Sequence, residues 1–147
     1  MITSRWLMRL GIMLFSVGLI TGLLTKPLSN PRMAVTGHLI GIIGGMFLMI
    51  MSLTWSRLQL SPRSKLVFFW TAVYGTYASW TVRVLAAAWD AGGSMMPLAS
   101  NGHMGSNIQE GAIKALILTL IIALSITCGL FLWGLRGSDD AIQGGDS

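Results

Sequence analysis

The chain has 147 residues, of which 53% are hydrophobic and only 10% are charged. A soluble domain carries about 25% charged residues, so this composition excludes an ordinary water-soluble globule and indicates a protein that lies in lipid. The formal net charge is +5, but the ten lysines and arginines are spread thinly between apolar runs, which argues against nucleic acid as a partner.

Four apolar segments follow one another, each close to the ~20 residues that a helix needs to cross the hydrocarbon core of a bilayer. They cover about residues 6–24, 33–54, 66–89 and 111–135. We therefore predict an all-α membrane protein, a four-transmembrane-helix bundle that forms one domain over residues 1–137. The polar, glycine-rich residues 138–147 predict a disordered tail.

The distribution of lysine and arginine predicts the orientation of the bundle. The amino terminus, the second loop and the carboxyl tail together carry six of them: Arg5, Arg9, Arg57, Arg63, Lys65 and Arg136. The opposite side carries four, Lys26, Arg32, Arg83 and Lys114, of which two lie within predicted helices. The positive-inside rule therefore predicts that both termini are cytoplasmic.

His38 is the most informative residue, because an ionisable side chain inside a membrane span is costly and indicates a functional site. It lies about one turn into the second predicted helix, and Gly41 and Gly45 follow it on the same helical face. A planar macrocycle ligated by His38 would fit against that strip without side chains. Alternatively, Gly37, Gly41 and Gly45 form a row of small residues that serves close helix packing.

Arg83 is the second costly residue, since an arginine within a span faces protein or water rather than lipid. Ser79 lies four residues before it and Asp90 seven after it, which places all three on one helical face. One interpretation is that Arg83 and Ser79 are polar groups in a pocket. The other is an ion pair between Arg83 and Asp90 near the membrane interface.

The remaining polar features have simpler interpretations. Glu110 and Lys114 have the i, i+4 spacing of a surface ion pair, and His103 lies in a glycine-rich loop where we expect solvent. The single cysteine, Cys128, lies in an apolar run and is expected to be a small buried hydrophobic residue. No carboxylate lies deep in any predicted span, which disfavours a proton-coupled transporter.

Four stretches carry a resemblance to a known family: NPRM at 30–33, YGTYASW at 74–80, AGGSMMP at 91–97 and LWGLRG at 132–137. Their order and spacing resemble the hydroxylaminobenzene mutase family of small bacterial membrane proteins, over nearly the whole chain. The resemblance implies an isomerase of the bacterial inner membrane with a small aromatic substrate. It would convert an arylhydroxylamine to an aminophenol, moving oxygen from nitrogen to the ring without net redox change.

The same layout is similar, more distantly, to styrene oxide isomerase. That resemblance implies ferric haem b held between the protomers of a homotrimer in membrane lipid, with His38 as the axial iron ligand. Gly41 and Gly45 would then form the strip against which the macrocycle lies. The iron would act as a Lewis acid on the substrate oxygen. Ser79 and Arg83 would be the catalytic polar groups of the pocket.

The chain departs from the family pattern at four positions. The pattern has glutamate at Ile40, asparagine at Gly44 and at Ser79, and, by spacing, the isomerase's pocket tyrosine at Arg83. These replacements leave a second hypothesis open, in which the chain is a non-catalytic four-helix membrane protein that binds haem or lipid.

Overall fold

The computed structural model describes residues 4–26 and 28–136, and all regular structure within them is helical. The elements are α1 Ser4–Leu23, α2 Pro31–Thr54, a 3-10 turn Trp55–Arg57, α3 Pro62–Trp89, the short α4 Pro97–Ser100 and α5 Asn107–Gly134. The predicted all-α fold is thereby confirmed for these residues. The predicted disordered tail, 138–147, lies outside them.

All four long helices begin a few residues before the predicted apolar runs, and a proline opens two of them. Pro31 and Pro62 occupy the first helical position, where the missing N–H has no partner to lose. The residue before each proline caps the helix: the Asn30 side chain accepts from the N–H of Met33 at 3.0 Å, and Ser61 does the same for Ser64.

Three helical segments within the described residues are long and apolar enough to cross a membrane: Ser4–Leu23, Pro31–Arg57 and Asn107–Gly134. Helix α3 has 28 residues, as many as α5, but it is less apolar because it carries charges at Arg63, Lys65 and Arg83. The length and composition of these three helices indicate a membrane protein.

Neighbouring long helices are antiparallel, so the bundle has two distinct ends. At one end the Ser52 hydroxyl donates to the carbonyl oxygen of Ser4 at 2.7 Å, which joins the end of α2 to the start of α1. We call this the basic end, since it carries the six cations that set the predicted orientation. The other end holds residues 24–26, 28–30 and 91–106 and is called the loop end below.

Helices α1 and α2 approach each other so closely that their glycines touch. A Cβ atom placed on Gly41 would lie 2.6 Å from the Cα of Gly18, and one on Gly45 would lie 2.6 Å from the backbone nitrogen of Phe15. Neither contact leaves room for a methyl group. In the absence of a hydrophobic driving force within lipid, such close backbone packing holds helices together.

We expect Gly45→Ala to lower the free energy of unfolding by about 1–3 kcal/mol, since the added methyl group must push α1 and α2 apart. The matched control is Gly129→Ala on α5, where a Cβ meets nothing within 4 Å. That control should be neutral or gain up to about 1 kcal/mol. Denaturant unfolding in detergent measures both, and equal stability of the two variants would contradict the packing.

Candidate active site

The imidazole of His38 is held by α1. Its Nδ1 atom lies 2.8 Å from the carbonyl oxygen of Gly18. A carbonyl oxygen only accepts hydrogen bonds, so Nδ1 carries a proton, and in the neutral imidazole the lone pair is then on Nε2. A Cβ on Gly22 would lie 2.5 Å from the same ring, so that glycine provides the space for the imidazole.

This arrangement fits a haem ligand. A metal-ligating histidine usually donates its other ring N–H to a carbonyl or carboxylate, which fixes the tautomer and the ring orientation. His38 is half-buried and has that partner in Gly18. No three His, Cys, Asp or Glu side chains gather into a metal centre within residues 4–26 and 28–136.

Gly41 and Gly45 do not form an open strip beside His38, because α1 covers both of them. Within one chain, these two glycines therefore serve the close packing of α1 against α2. Their contact with a macrocycle stays a prediction.

Ser79 and Arg83 line a groove on another side of α2, which we call the α2 groove. It consists of two adjoining cavities of about 240 and 370 Å³ that share Ile40 and Ile43. Ser79 lies in the smaller one, between Gly44 and Cys128, and Arg83 lies in the larger one. The groove is largely apolar apart from these two side chains and threonine hydroxyls.

The four positions that depart from the family pattern all lie in this groove: Ile40, Gly44, Ser79 and Arg83. The wall is tight at Gly44, where a Cβ would lie 3.2 Å from a methyl group of Leu14 and 3.4 Å from the Cβ of Thr76. These four positions are far apart in the sequence, but they all line the α2 groove. Residues of other types at these four positions would change the shape and polarity of this groove, while the contact of His38 with Gly18 would be unaffected.

Arg83 donates from Nη1 to the carbonyl oxygen of Ser79 at 2.7 Å, within its own helix. The alternative pairing of Arg83 with Asp90 is wrong, because the Asp90 carboxylate has other partners. It accepts from the Asn30 amide at 3.1 Å and pairs with Nδ1 of His103 at 2.7 Å. In the part of the chain that the structure describes, Arg83 has no carboxylate partner, so the α2 groove carries a positive charge.

His38 and Arg83 do not meet within one chain. His38 faces α1, whereas Arg83 faces the α2 groove, and an exposed apolar stripe of α2 lies between them. The stripe contains Val35, Leu39 and Ile43, whose side chains are 45%, 50% and 54% exposed. The two polar residues therefore lie on different sides of α2 within one chain.

Glu110 anchors the long loop at the loop end. One carboxylate oxygen accepts from the N–H groups of Gly92 at 2.6 Å and Gly105 at 3.1 Å; the other accepts from the N–H and hydroxyl of Ser94. The predicted surface pair with Lys114 is therefore wrong, since the loop takes the whole carboxylate. The loop in turn positions α4, which closes one side of the groove with Met96 and Ala99.

Asn30 joins three elements at the same end. Besides capping α2, its side-chain amide donates to Asp90 and to the carbonyl oxygen of Ser100 at 3.0 Å, and its backbone N–H donates to Ala87 at 3.0 Å. The NPRM stretch is thus a structural joint of the loop end. Sequence reasoning missed this role because the partners lie 57 to 70 residues away.

We expect Glu110→Gln to speed amide hydrogen exchange in residues 91–106, because an amide group turns its own N–H toward the loop donors. The local cost should be about 1–3 kcal/mol. Lys114→Gln is the control and should exchange like the wild type, since the Glu110 carboxylate is already used by the loop. Faster exchange of the loop in Lys114→Gln, but not in Glu110→Gln, would instead support an ion pair between Glu110 and Lys114.

Cys128 was expected to be buried, but its side chain is exposed at the edge of the α2 groove.

Two aromatic residues of the YGTYASW stretch join α3 to α1. The Tyr77 hydroxyl donates to the carbonyl oxygen of Leu10 at 2.9 Å, and the Trp80 indole donates to Thr21 at 3.0 Å. His103 is exposed as expected, and it also pairs with Asp90.

The comparisons with known proteins agree over nearly the whole chain. A family profile described as styrene oxide isomerase matches residues 3–136. Hydroxylaminobenzene mutase HabB of Ectopseudomonas oleovorans is 44% identical over 135 residues, which cover 92% of this chain and 82% of that protein. Hydroxylaminobenzene mutase HabA of the same organism is 39% identical over 132 residues, which cover 90% and 98%. No solved structure matches significantly.

Proposed function

Because the chain belongs to the styrene oxide isomerase family, we propose that it is a membrane-bound enzyme that rearranges an arylhydroxylamine to an aminophenol. The prediction of an isomerase is confirmed by the two mutase relatives. Their similarity also disfavours the alternative of a non-catalytic binding protein. The substrate that we propose for this chain is the one in their names, hydroxylaminobenzene.

The α2 groove is the observation that carries this proposal. Its smaller cavity has a volume of about 240 Å³ and is lined mainly by apolar atoms. An apolar cavity of about 150 Å³ holds a benzene ring, so the groove has room for one ring with a small substituent. Arg83 supplies polar atoms from the adjoining cavity, at the side where the substituent would lie, and Ser79 lines the smaller cavity.

The rearrangement balances within the substrate. The N–O bond breaks, a C–O bond forms at the ring, and a proton leaves the ring carbon while the nitrogen gains one. Negative charge develops on the departing oxygen, and we propose that the Arg83 guanidinium stabilises it with N–H groups that the Ser79 carbonyl leaves free. The Ser79 hydroxyl would hold the nitrogen substituent, and the apolar walls would keep water away from the transferring oxygen.

We propose that ferric haem b is the cofactor and that Nε2 of His38 would hold its iron. When bound, the haem iron would supply Lewis-acid activation of the substrate oxygen. The free Nε2 lone pair and the Gly18 partner support this assignment. Since the α2 stripe separates His38 from Arg83, we further propose a homo-oligomer, a homotrimer as the family resemblance implies, in which residues of different protomers complete each site.

We also propose that the chain crosses a bacterial inner membrane four times, with both termini in the cytoplasm. Helix α3 supports the fourth crossing, since its length of 28 residues equals that of α5 and corresponds to about 42 Å. It packs between α2 and α5, and several of its polar residues point into the protein, with Thr76 and Ser79 buried. The excess of cations at the basic end supports a cytoplasmic location for that end.

The proposed function is tested by incubating the purified, haem-loaded protein with hydroxylaminobenzene and identifying the product. We expect aminophenol with no added oxidant or reductant, because the rearrangement is redox-neutral. The absence of aminophenol from a haem-loaded sample would remove the proposed substrate.

A further inference from the structure

Another cavity, of about 500 Å³, lies at the basic end between the first turns of α1 and the end of α2. Arg5 and Arg9 line it from α1, and Ser56 lines it from the 3-10 turn that follows α2. Met8 and Leu53 form its apolar part. We call it the basic-end groove, and none of its residues belongs to the proposed active site.

The basic-end groove carries two positive charges that have no carboxylate partner among the described residues. Arg5 and Arg9 are one helical turn apart on the same face and are both exposed. The described carboxylates, Asp90 and Glu110, lie at the loop end, and the single ion pair among residues 4–26 and 28–136 joins Asp90 to His103 there. The Arg9 guanidinium lies over the Trp6 ring, 5.4 Å from its centroid. Two neighbouring guanidinium groups can bind one anion, and guanidinium matches the geometry of phosphate.

The groove is also amphipathic along the bundle axis. Leu53 is 70% exposed, and Ile50, one turn nearer the centre of the bundle, is 53% exposed. The two side chains continue, toward the basic end, the exposed apolar face of α2 that holds Ile43. An acyl chain there would lie at the basic-end margin of the proposed protomer contact. A phospholipid has the same order of polarity, with a phosphate at the interface and an acyl chain below it.

We propose that the basic-end groove binds an anionic phospholipid. Its phosphate would lie between Arg5 and Arg9 with the Ser56 hydroxyl as a further donor, and an acyl chain would follow Leu53 and Ile50. A lipid with net negative charge is favoured over a zwitterionic one, since the ammonium of a zwitterionic headgroup would face two guanidinium groups. This inference does not rest on the isomerase activity.

Native mass spectrometry of the full-length protein, released from bilayers that contain equal amounts of phosphatidylglycerol and phosphatidylcholine with identical acyl chains, tests the proposal. We expect wild-type protein to retain phosphatidylglycerol preferentially. In Arg5→Gln/Arg9→Gln the preference should fall about 30-fold, since each cation at a membrane surface is worth about 1 kcal/mol. Arg5→Lys/Arg9→Lys should keep most of it, which distinguishes lost charge from lost folding.

The matched control is Arg63→Gln/Arg136→Gln, which removes the same charge from exposed residues of the same end outside the groove. It should retain the wild-type preference. An equal fall in both glutamine double variants would overturn the proposal, since it would show only a general surface attraction. Equal retention of the two lipids by the wild type, or displacement of phosphatidylglycerol by millimolar inorganic phosphate, would overturn it as well.

Discussion

His38→Ala is expected to remove the Soret absorption band of the purified protein and to reduce aminophenol formation to the uncatalysed rate. The structure fixes the imidazole through Nδ1 and leaves Nε2 as the free nitrogen. Alanine takes away that nitrogen and leaves the α1–α2 contact at Gly18 and Gly41 in place. An absorption spectrum of detergent-purified protein and a product assay measure the two effects separately.

His103→Ala is the matched control, because it removes the other histidine of the chain, an exposed residue of the loop end. It should keep the absorption band. A companion variant, Gly22→Ala, places a methyl group within 2.5 Å of the His38 ring. We expect it to weaken or shift the band while His38 is still present. An unchanged band in His38→Ala would exclude His38 as the iron ligand.

Arg83→Met is expected to lower kcat by about a hundredfold to a thousandfold, the cost of losing a preorganised donor to a developing negative charge. The effect on KM should be smaller, because the apolar groove contacts the ring in the ground state as well. Methionine retains much of the side-chain volume. Folding should change little, since the hydrogen bond of Arg83 is to the carbonyl oxygen of Ser79 in its own helix.

Arg83→Lys should recover part of the rate, because an ammonium keeps the charge but lacks the fixed fork of donors. The control is Arg32→Gln at the loop end, where the guanidinium donates to the Asn101 side chain at 3.3 Å. That variant should keep kcat within a few-fold of the wild type. A wild-type kcat in Arg83→Met would remove Arg83 from the proposed catalytic groups.

The two costly residues within helices were visible in the sequence, because His38 and Arg83 are expensive in lipid unless protein surrounds them. The sequence did not show, however, that His38 and Arg83 lie on different sides of α2. Helical periodicity places residues on one face of a single helix, but it does not say which neighbouring helix covers that face. Gly41 and Gly45 share the face of His38, and α1 occupies it.

Burial was the least predictable property. In lipid an apolar residue gains nothing by turning inward, so the apolar run around Cys128 carried no information about its exposure. The loop end was unpredictable for another reason: its bonds are long-range. Asn30 contacts Asp90 and Ser100 across 60 and 70 residues, and Glu110 binds backbone N–H groups that leave no mark in the side-chain pattern.

The family motifs become intelligible once these contacts are known. NPRM and AGGSMMP build the loop end around Asn30 and Glu110, and YGTYASW ties α3 to α1 through Tyr77 and Trp80. The motifs therefore maintain the scaffold. The positions that vary from the family pattern lie together in the α2 groove, which is where we expect differences in substrate preference to arise.

The most direct test of the central claim uses hydroxylaminobenzene whose oxygen is labelled with oxygen-18, incubated with the haem-loaded wild-type protein in ordinary water. The product is analysed by mass spectrometry. An intramolecular rearrangement in a water-excluding groove predicts that the aminophenol keeps the label. Aminophenol that carries oxygen from water, or no aminophenol at all, would contradict the account.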